Sequence, residues 1–139
     1  MQASRKCGAD AVVNSNKEDL AKAIMELTNK MGADAVIDFV NDSKTVEADI
    51  QLLRRRARPV LVGLFGGEVK LNLINIPTRA YKLIGIDNGS IIDFIELISL
   101  ARRGVVKPVV SNHFKLEQAT GALTLLREGK ILGRSVINP

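Results

Sequence analysis

The feature that most constrains the fold of this 139-residue chain is Arg58–Gly67, a short apolar run that ends in a glycine turn. Residues 59–65 carry no polar side chain, which is typical of a strand buried on both faces of a parallel sheet. The glycines allow a sharp turn and a close approach of another molecule to the main chain. Ligands of open parallel sheets bind outside the carboxyl ends of the strands. We therefore predict a binding site at Gly63–Gly67, with a plain buried strand and tight turn as the alternative.

Segments of strand length alternate with segments of helical apolar spacing, which indicates an α/β fold with a parallel sheet and helices on both faces. The length suggests one domain, residues 1–139. Predicted strands cover 11–14, 35–40, 59–62, 81–86, 107–110 and 133–137, while 69–74 is a surface strand or an ordered loop. Predicted helices are a stump ending at Gly8, one from a Ser15–Glu18 capping box to Gly32, one from the Asn41–Ser43 cap to Ala57, one from Ser90 or Asp93 to Gly104, and one over Leu116–Glu128.

The densest basic cluster is Arg54–Arg56, in a chain whose formal net charge is +5. We place these arginines near the end of a helix, where positive charge complements the helix dipole. A nucleic-acid patch is the alternative. It is disfavoured because the chain has five aromatic residues and none interleaves with the arginines. The prediction is therefore a protein without a nucleic-acid partner.

The cysteine and histidine content limits the metal chemistry of the chain. Cys7 and His113 are the sole residues of their types, so they cannot supply the four ligands of a structural zinc site. A three-ligand site would need a carboxylate as well. We predict no metal site and no catalytic residue, with His113 a surface residue in a loop. Asp38 lies inside a predicted strand, and we expect it to bond a neighbouring helix terminus.

Other sequence signals are absent. No apolar run approaches the roughly 20 residues that span a bilayer, and the first residues lack the apolar core of a secretory signal. A single cysteine forms no internal disulfide, which fits a cytoplasmic location without membrane association. Neither GxGxxG after a strand nor GxxxxGK[ST] occurs, so no dinucleotide fingerprint and no P-loop is present.

Five motifs, in order and with fitting spacing, resemble the zinc-type medium-chain alcohol dehydrogenases. The resemblance covers essentially the whole chain. The motif Cys7–Asn14 is similar to the family's "LGAD-VIN" strand, Gly32–Asp38 to its "GADVVID" strand and Val62–Gly67 to its "VGLFGG" turn. Two further motifs resemble segments near the family's end, namely Lys107–Val110 and Glu128–Arg134.

The resemblance also implies what this chain does not contain. The family has an N-terminal catalytic domain with the zinc ligands, followed by a dinucleotide-binding domain of six parallel strands. The chain matches the part after the first two of those strands, so we expect a truncated Rossmann-like domain in which 105–139 is the closing segment. Two departures are local: Arg56-Ala57 replaces a usual glycine pair, and Ile86-Asp87-Asn88 replaces a small residue with an apolar pair.

By this resemblance, what remains of a cofactor site is its nicotinamide side. The family's strand ends border the nicotinamide and its ribose, and one arginine contacts the pyrophosphate. NAD or NADP would bind weakly, and zinc would belong to the intact family rather than to this chain. The implied cofactor-binding residues are Val40, Asn41, Gly63, Leu64, Phe65, Asn88, Gly89 and Arg134.

The implied reaction is hydride transfer between an alcohol and a nicotinamide cofactor, catalysed by a whole enzyme of which this chain is a part. We predict that the chain alone is inactive. The alternatives are a non-catalytic dimerisation or binding module, and one half of a split dehydrogenase completed by a missing catalytic half. A homodimer is expected through the strand Tyr81–Ile86, which in the family pairs with its own copy. The absence of two strands is expected to leave an open sheet edge at 35–40.

Overall fold

The structure is a computed structural model that describes residues 2–139. The chain divides into two compact units, Met1–Asp87 and Asn88–Pro139. Both units combine helices with parallel strands, which confirms the α/β class. The parallel strands form two separate sheets, one in each unit.

The first unit holds a three-stranded parallel sheet in the order β1-β2-β3. Since β1 has one neighbour among the described residues, it is an edge strand, as expected for the segment 35–40. The fourth predicted strand is reduced to two residues. The elements are α1 (Gln2–Lys6), α2 (Leu20–Leu27), β1 (Ala33–Asp38), α3 (Ser43–Leu52), β2 (Leu53–Leu61), α4 (Asn75–Arg79) and β3 (Ile84–Gly85).

Residues 11–14 form no strand, so that prediction is wrong. Their apolar run has no neighbouring strand to pair with, and a local turn replaces the ladder. The Asn14 carbonyl accepts from the amides of Lys17 and Glu18, and the Glu18 carboxylate accepts from the Asn14 amide. The capping box at Ser15–Glu18 is also wrong, because Asp19 caps α2 by accepting from the Lys22 amide at 3.0 Å.

The arginine cluster Arg54–Arg56 does not lie near the end of a helix as predicted, because α3 ends before it. The helix ends at Leu52 and β2 starts at Leu53. Arg54–Arg56 therefore lie in a strand rather than at a helix end. Leu53 is 3% exposed and Ala57 0%, so burial of these two residues and pairing with β1 outweigh the helical preference of the sequence. The cap of α3 is as predicted, since the Asp42 carboxylate accepts from the Thr45 amide at 2.7 Å.

The second unit holds a two-stranded parallel sheet, β4-β5. Ser90 caps α5 within a capping box completed by Asp93, so the predicted start of this helix is confirmed. His113 lies in β4 and not in a loop, because the strand starts and ends later than predicted. The elements are α5 (Ile91–Arg102), β4 (Val110–Lys115), a 3₁₀ turn (Leu116–Gln118), α6 (Ala119–Arg127) and β5 (Arg134–Asn138).

The loop at 69–74 is one of the two predicted alternatives, whereas one short helix and the ends of several helices differ from the sequence prediction. Residues 69–74 form a loop, and the short helix α4 that follows was not predicted. α2 ends at Leu27, before Gly32, where the Thr28 hydroxyl donates to the Ile24 carbonyl and accepts from the Gly32 amide. None of the described helices is both long and apolar enough to cross a bilayer.

Candidate functional site

The candidate site is formed where β1 and β2 end side by side. The Asp38 carbonyl accepts from the amides of Val62 and Gly63 at 2.9 and 3.0 Å. Beyond the strand, the Val40 carbonyl accepts from the Phe65 amide at 3.2 Å. The Asn41 carbonyl accepts from the Gly66 amide at 3.0 Å. The two turns are thus held together by main-chain bonds that continue past the sheet.

Gly63 and Asn41 are the residues that this arrangement requires most strictly. A Cβ atom at Gly63 would overlap the carbonyl of Val40, so only glycine allows the two chains to approach this closely. Asn41 has φ +59°, a left-handed conformation that asparagine tolerates better than most residues. Its side-chain amide donates to the Gly63 carbonyl at 2.8 Å, which fixes one turn against the other.

Asp38 holds the turn between β1 and α3 from inside. It is 7% exposed, and one of its carboxylate oxygens accepts from the amides of Val40 and Asn41 at 2.8 and 2.9 Å. The other oxygen accepts from the Thr45 hydroxyl, in the first turn of α3, at 2.7 Å. This agrees with the expectation that a buried acid in the strand bonds a neighbouring helix terminus.

A second carboxyl group, that of Asp49, adjoins Asp38. Burial by itself raises the pKa of Asp38, but the bonds from Thr45, Asn41 and Val40 outweigh it and leave this pKa below its ordinary value. For Asp49, burial raises the pKa to about 6, and the negative charge of Asp38 and a hydrogen bond to it add to the effect. Sequence reasoning missed Asp49, although its position four residues after Thr45 places both on one face of α3.

The rim of the site is apolar and exposed. Phe65 is 82% exposed and Leu64 89%, directly after the end of β2. On the β1 side, Phe39 is 75% exposed and Val40 44%. A flat apolar ring placed here would remove these side chains from water. A cavity of about 190 Å³ lies beside the turns, lined in part by Asn41, Gly66 and Gly67.

The structure therefore brings five of the eight predicted cofactor-binding residues together in the first unit. The other three lie in the second unit. Asn88 has φ +45° and Gly89 directly precedes the cap residue of α5. Arg134 is the first residue of β5, where its amide donates to the Val109 carbonyl at 2.8 Å and its side chain is exposed.

The described residues do not assemble a metal centre. Within 2–139, no three His, Cys, Asp or Glu side chains are grouped so that they could hold an ion. Cys7 is exposed in the first unit, and His113 belongs to β4 of the second. The Asp38 and Asp49 carboxyl groups are a pair with no third ligating group beside them among the described residues, and Asp38 already accepts from the Thr45 hydroxyl.

Parallel strands whose ends form a glycine turn define a Rossmann-like α/β protein, and comparisons with known proteins specify the family. Residues 1–103 match the sequence profile described as "Zinc-binding dehydrogenase". The chain belongs to this family, the zinc-type medium-chain alcohol dehydrogenases, which confirms the resemblance of the five motifs.

Individual relatives agree with this assignment. An NAD-dependent alcohol dehydrogenase of Sulfurisphaera tokodaii is 37% identical over 139 residues, which is 100% of this chain and 40% of that protein. One from Saccharolobus solfataricus is 34% identical with the same coverage. The crystal structure of an alcohol dehydrogenase from Aeropyrum pernix superposes with a TM-score of 0.90 at 34% identity, covering 99% of this chain and 39% of the other. The chain thus spans about 40% of the length of these relatives.

Proposed function

We propose that this chain forms the nicotinamide side of the dinucleotide-binding domain of an NAD(P)-dependent alcohol dehydrogenase. The observation that carries the proposal is the pairing of the Val40–Asn41 turn with the Gly63–Phe65 turn at the carboxyl ends of two parallel strands. In open α/β sheets this is where ligands bind. The named activity of the relatives supports the choice of ligand.

The residues present suit a nicotinamide ring. When bound, NAD(P) supplies a ring carbon that accepts or donates a hydride. Leu64 and Phe65 provide an apolar surface that excludes water from one side of such a ring. Asn41 and Asp38 keep that surface in place, because their bonds fix the turns before any ligand arrives. Preorganisation of this kind lowers the entropic cost of binding.

The residues present do not suit the zinc ion of the family. No cluster of three ligating side chains occurs within 2–139, and the Asp38 carboxylate is already bonded to Thr45. We therefore propose that the 139 residues by themselves do not oxidise alcohols. The zinc ligands would belong to another segment of a longer polypeptide or to a separate one. In either case this chain would contribute cofactor binding to the reaction.

A hybrid enzyme tests this proposal. Residues 1–139 replace the matching 40% of the Sulfurisphaera tokodaii relative, and NADH formation from a panel of alcohols is measured. We expect the hybrid to be active and the isolated chain to be inactive. In the hybrid, Phe65→Asp should lower kcat/KM by about tenfold or more, equivalent to about 1.4 kcal/mol of transition-state stabilisation.

Leu73→Asp is the matched control, since Leu73 is 74% exposed but lies in the loop before α4. It should leave kcat/KM of the hybrid within about twofold. A folded hybrid that shows no activity, or an isolated chain that turns over alcohol, would contradict the proposal.

A second candidate function, dimerisation through the Tyr81–Ile86 segment, is favoured by the edge position of β3. Among residues 2–139, β3 pairs with β2 alone, over Val60–Ile84 and Leu61–Gly85. Leu83 and Ile86 flank it and are 54% and 45% exposed. A strand with one unpaired edge and apolar flanks is a template for another chain, and a two-fold axis would let two copies pair there.

A further inference from the structure

A strip of six exposed basic residues lies at the amino ends of the three strands of the first unit. Contacts between the segments that carry these residues bring them together. Lys30 lies near Arg54, because Gly32, two residues after Lys30, packs against the backbone of Arg54. A Cβ atom added to Gly32 would lie 3.0 Å from the Arg54 amide nitrogen. The Lys82 amide donates to the Ala57 carbonyl at 3.2 Å. The basic strip consists of Lys30, Arg54, Arg55, Arg56, Arg79 and Lys82.

The arginines of the strip are displayed by a bulge in β2. Ala33 pairs with Leu53 and Ala35 with Arg58, so residues 54–57 of β2 lie opposite Asp34 alone. Leu53 and Ala57 are buried at the two ends of the bulge. The arginines between them are exposed. The bulge is thus anchored by two apolar residues and directs charge to solvent.

Hydrogen bonds from the α4–β3 connection hold the bulge from the other side. The Arg79 guanidinium donates to the Tyr81 hydroxyl at 3.0 Å, and this hydroxyl donates to the Leu53 carbonyl at 3.4 Å. Asp34 forms an ion pair with Arg54. In the part of the chain that the structure describes, no salt bridge engages Arg55 or Arg56. The strip therefore keeps a large positive charge.

Arg56 adopts a backbone conformation that glycine would adopt more easily. Its φ of +64° lies in the left-handed region. Strained residues of this kind persist where the surrounding structure imposes them, and they cluster at functional positions. Compared with glycine, arginine adds a planar, permanently charged group that matches the geometry of phosphate.

We propose that the basic strip binds the phosphate backbone of a nucleic acid, without reading its sequence. Four of the six residues are arginines, and arginine forms paired hydrogen bonds with phosphate oxygens. An anionic membrane fits less well, because the exposed aromatic residues Phe39 and Phe65 lie at the opposite ends of the strands, and the exposed apolar residues next to the strip in sequence are the isolated Met31 and Leu83. The sequence analysis disfavoured nucleic acid because no aromatic residue interleaves with the arginines, but binding to the phosphate backbone by charge alone does not require such residues.

This binding is separate from the proposed cofactor function. The strip occupies the amino ends of the strands, whereas the nicotinamide side lies at their carboxyl ends. Failure of one proposal therefore leaves the other standing.

The test is fluorescence anisotropy of a labelled single-stranded DNA of about 20 nucleotides, titrated with the 139-residue chain at several salt concentrations. The variant Arg55→Gln/Arg56→Gly removes two charges and places glycine where φ is positive. The matched control is Arg102→Gln/Arg103→Gln, which removes an adjacent pair of exposed arginines at the end of α5. Far-ultraviolet circular dichroism confirms that each variant is folded.

We expect salt-dependent binding by the wild type and an affinity about tenfold lower for the strip variant at low salt. The slope of log affinity against log salt should fall in magnitude by about 1.4, since each phosphate contact contributes about 0.7 for single strands. Arg56→Lys, which keeps the charge but loses the paired hydrogen bonds, should keep the salt slope and lower the affinity less than the double variant does, while the control pair should retain the affinity. If the double variant is unfolded, Lys82→Gln replaces it and should lower the slope by about 0.7.

Three outcomes would overturn the proposal. The first is no binding by the wild type at low salt. The second is an equal loss of affinity in the α5 control. The third is adsorption to vesicles of anionic phospholipid without any binding of the oligonucleotide.

Discussion

The carboxyl groups of Asp38 and Asp49 share a hydrogen bond at the junction of β1 and α3. If both carboxyl groups were charged they would repel each other, and burial strengthens that repulsion. Asp38 keeps its charge because two amides and the Thr45 hydroxyl donate to it. Burial, the charge of Asp38 and the hydrogen bond to it raise the pKa of Asp49 to about 6.

Because of the Asp38–Asp49 pair, we expect the free energy of unfolding to fall as the pH rises from about 4 to about 6.5. The folded chain holds the Asp49 proton more tightly than the unfolded chain, so its stabilising contribution is complete below the unfolded pKa of 3.8 and is lost through the folded pKa of about 6. We expect a loss of about 1–2 kcal/mol in the free energy of unfolding, after allowance for partial exposure. Urea unfolding at a series of pH values measures it.

Asp49→Asn should remove this pH dependence and stabilise the chain at pH 7 by a similar amount, about 1–2 kcal/mol. Glu47→Gln is the control, because Glu47 is an exposed carboxyl on the same helix. Measurements stay above pH 4.5, since the lowered pKa of Asp38 makes its own contribution disappear in more acidic solution. Equal pH profiles for the wild type and Asp49→Asn would contradict the role of the pair.

Gly63→Ala should destabilise the chain by about 2–4 kcal/mol, because the new methyl group would overlap the Val40 carbonyl and force the turns apart. Gly85→Ala is the matched control in the same sheet, with no atom within 4 Å of its added Cβ and no positive φ. It should change the stability by less than about 0.5 kcal/mol. Similar losses in both variants would show that the contact between the two turns is not tight.

The isolated chain should bind NAD and NADP with dissociation constants on the order of millimolar or weaker, because no glycine-rich loop at a helix N-terminus is present to receive the pyrophosphate. Titration calorimetry measures this. Arg134→Ala should abolish any binding that is seen, whereas Arg127→Ala, an exposed arginine at the end of α6, should not. Micromolar affinity of the wild type for either cofactor would contradict the prediction.

Size exclusion with light scattering should show a homodimer. Leu83→Lys adds charge beside β3 and Ile84→Pro removes a main-chain donor from that strand, so both should produce monomers. Leu132→Lys is the control, since Leu132 is exposed to a similar degree, at 60%, but lies in the second unit. A monomeric wild type, or a dimer that persists in both β3 variants, would refute this interface.

Arg56→Gly should raise the free energy of unfolding by up to about 1 kcal/mol. Glycine adopts the φ of +64° without strain, although it loses more entropy on folding. Thermal unfolding compares this variant with Arg55→Gly, whose position has no positive φ and which should instead lose stability by about 0.5–1 kcal/mol. A loss of stability in Arg56→Gly would mean that the arginine side chain holds the bulge in place.

Local signals in the sequence determined much of this protein. The apolar run before Gly63 and the cap residues Asp42 and Ser90 placed a strand and two helix starts, because strand burial and helix capping depend on neighbouring residues. The same locality let the motifs around Gly32–Asp38 and Val62–Gly67 indicate the family. The family resemblance implied the cofactor residues, and five of them lie at two adjacent strand ends, since parallel strands end at the same edge.

Only the tertiary structure decided which segments form strands where local preference is misleading, and which distant residues lie together. Residues 11–14 have the composition of a strand but no partner to pair with, and the Arg54–Arg56 segment has helical character but lies against β1. The Asp38–Asp49 pair joins a strand to a helix, and the basic strip joins segments from Lys30 to Lys82. Each of these depends on contacts between residues distant in sequence, and the free energy of such contacts exceeds local preferences that amount to about 1 kcal/mol or less per residue.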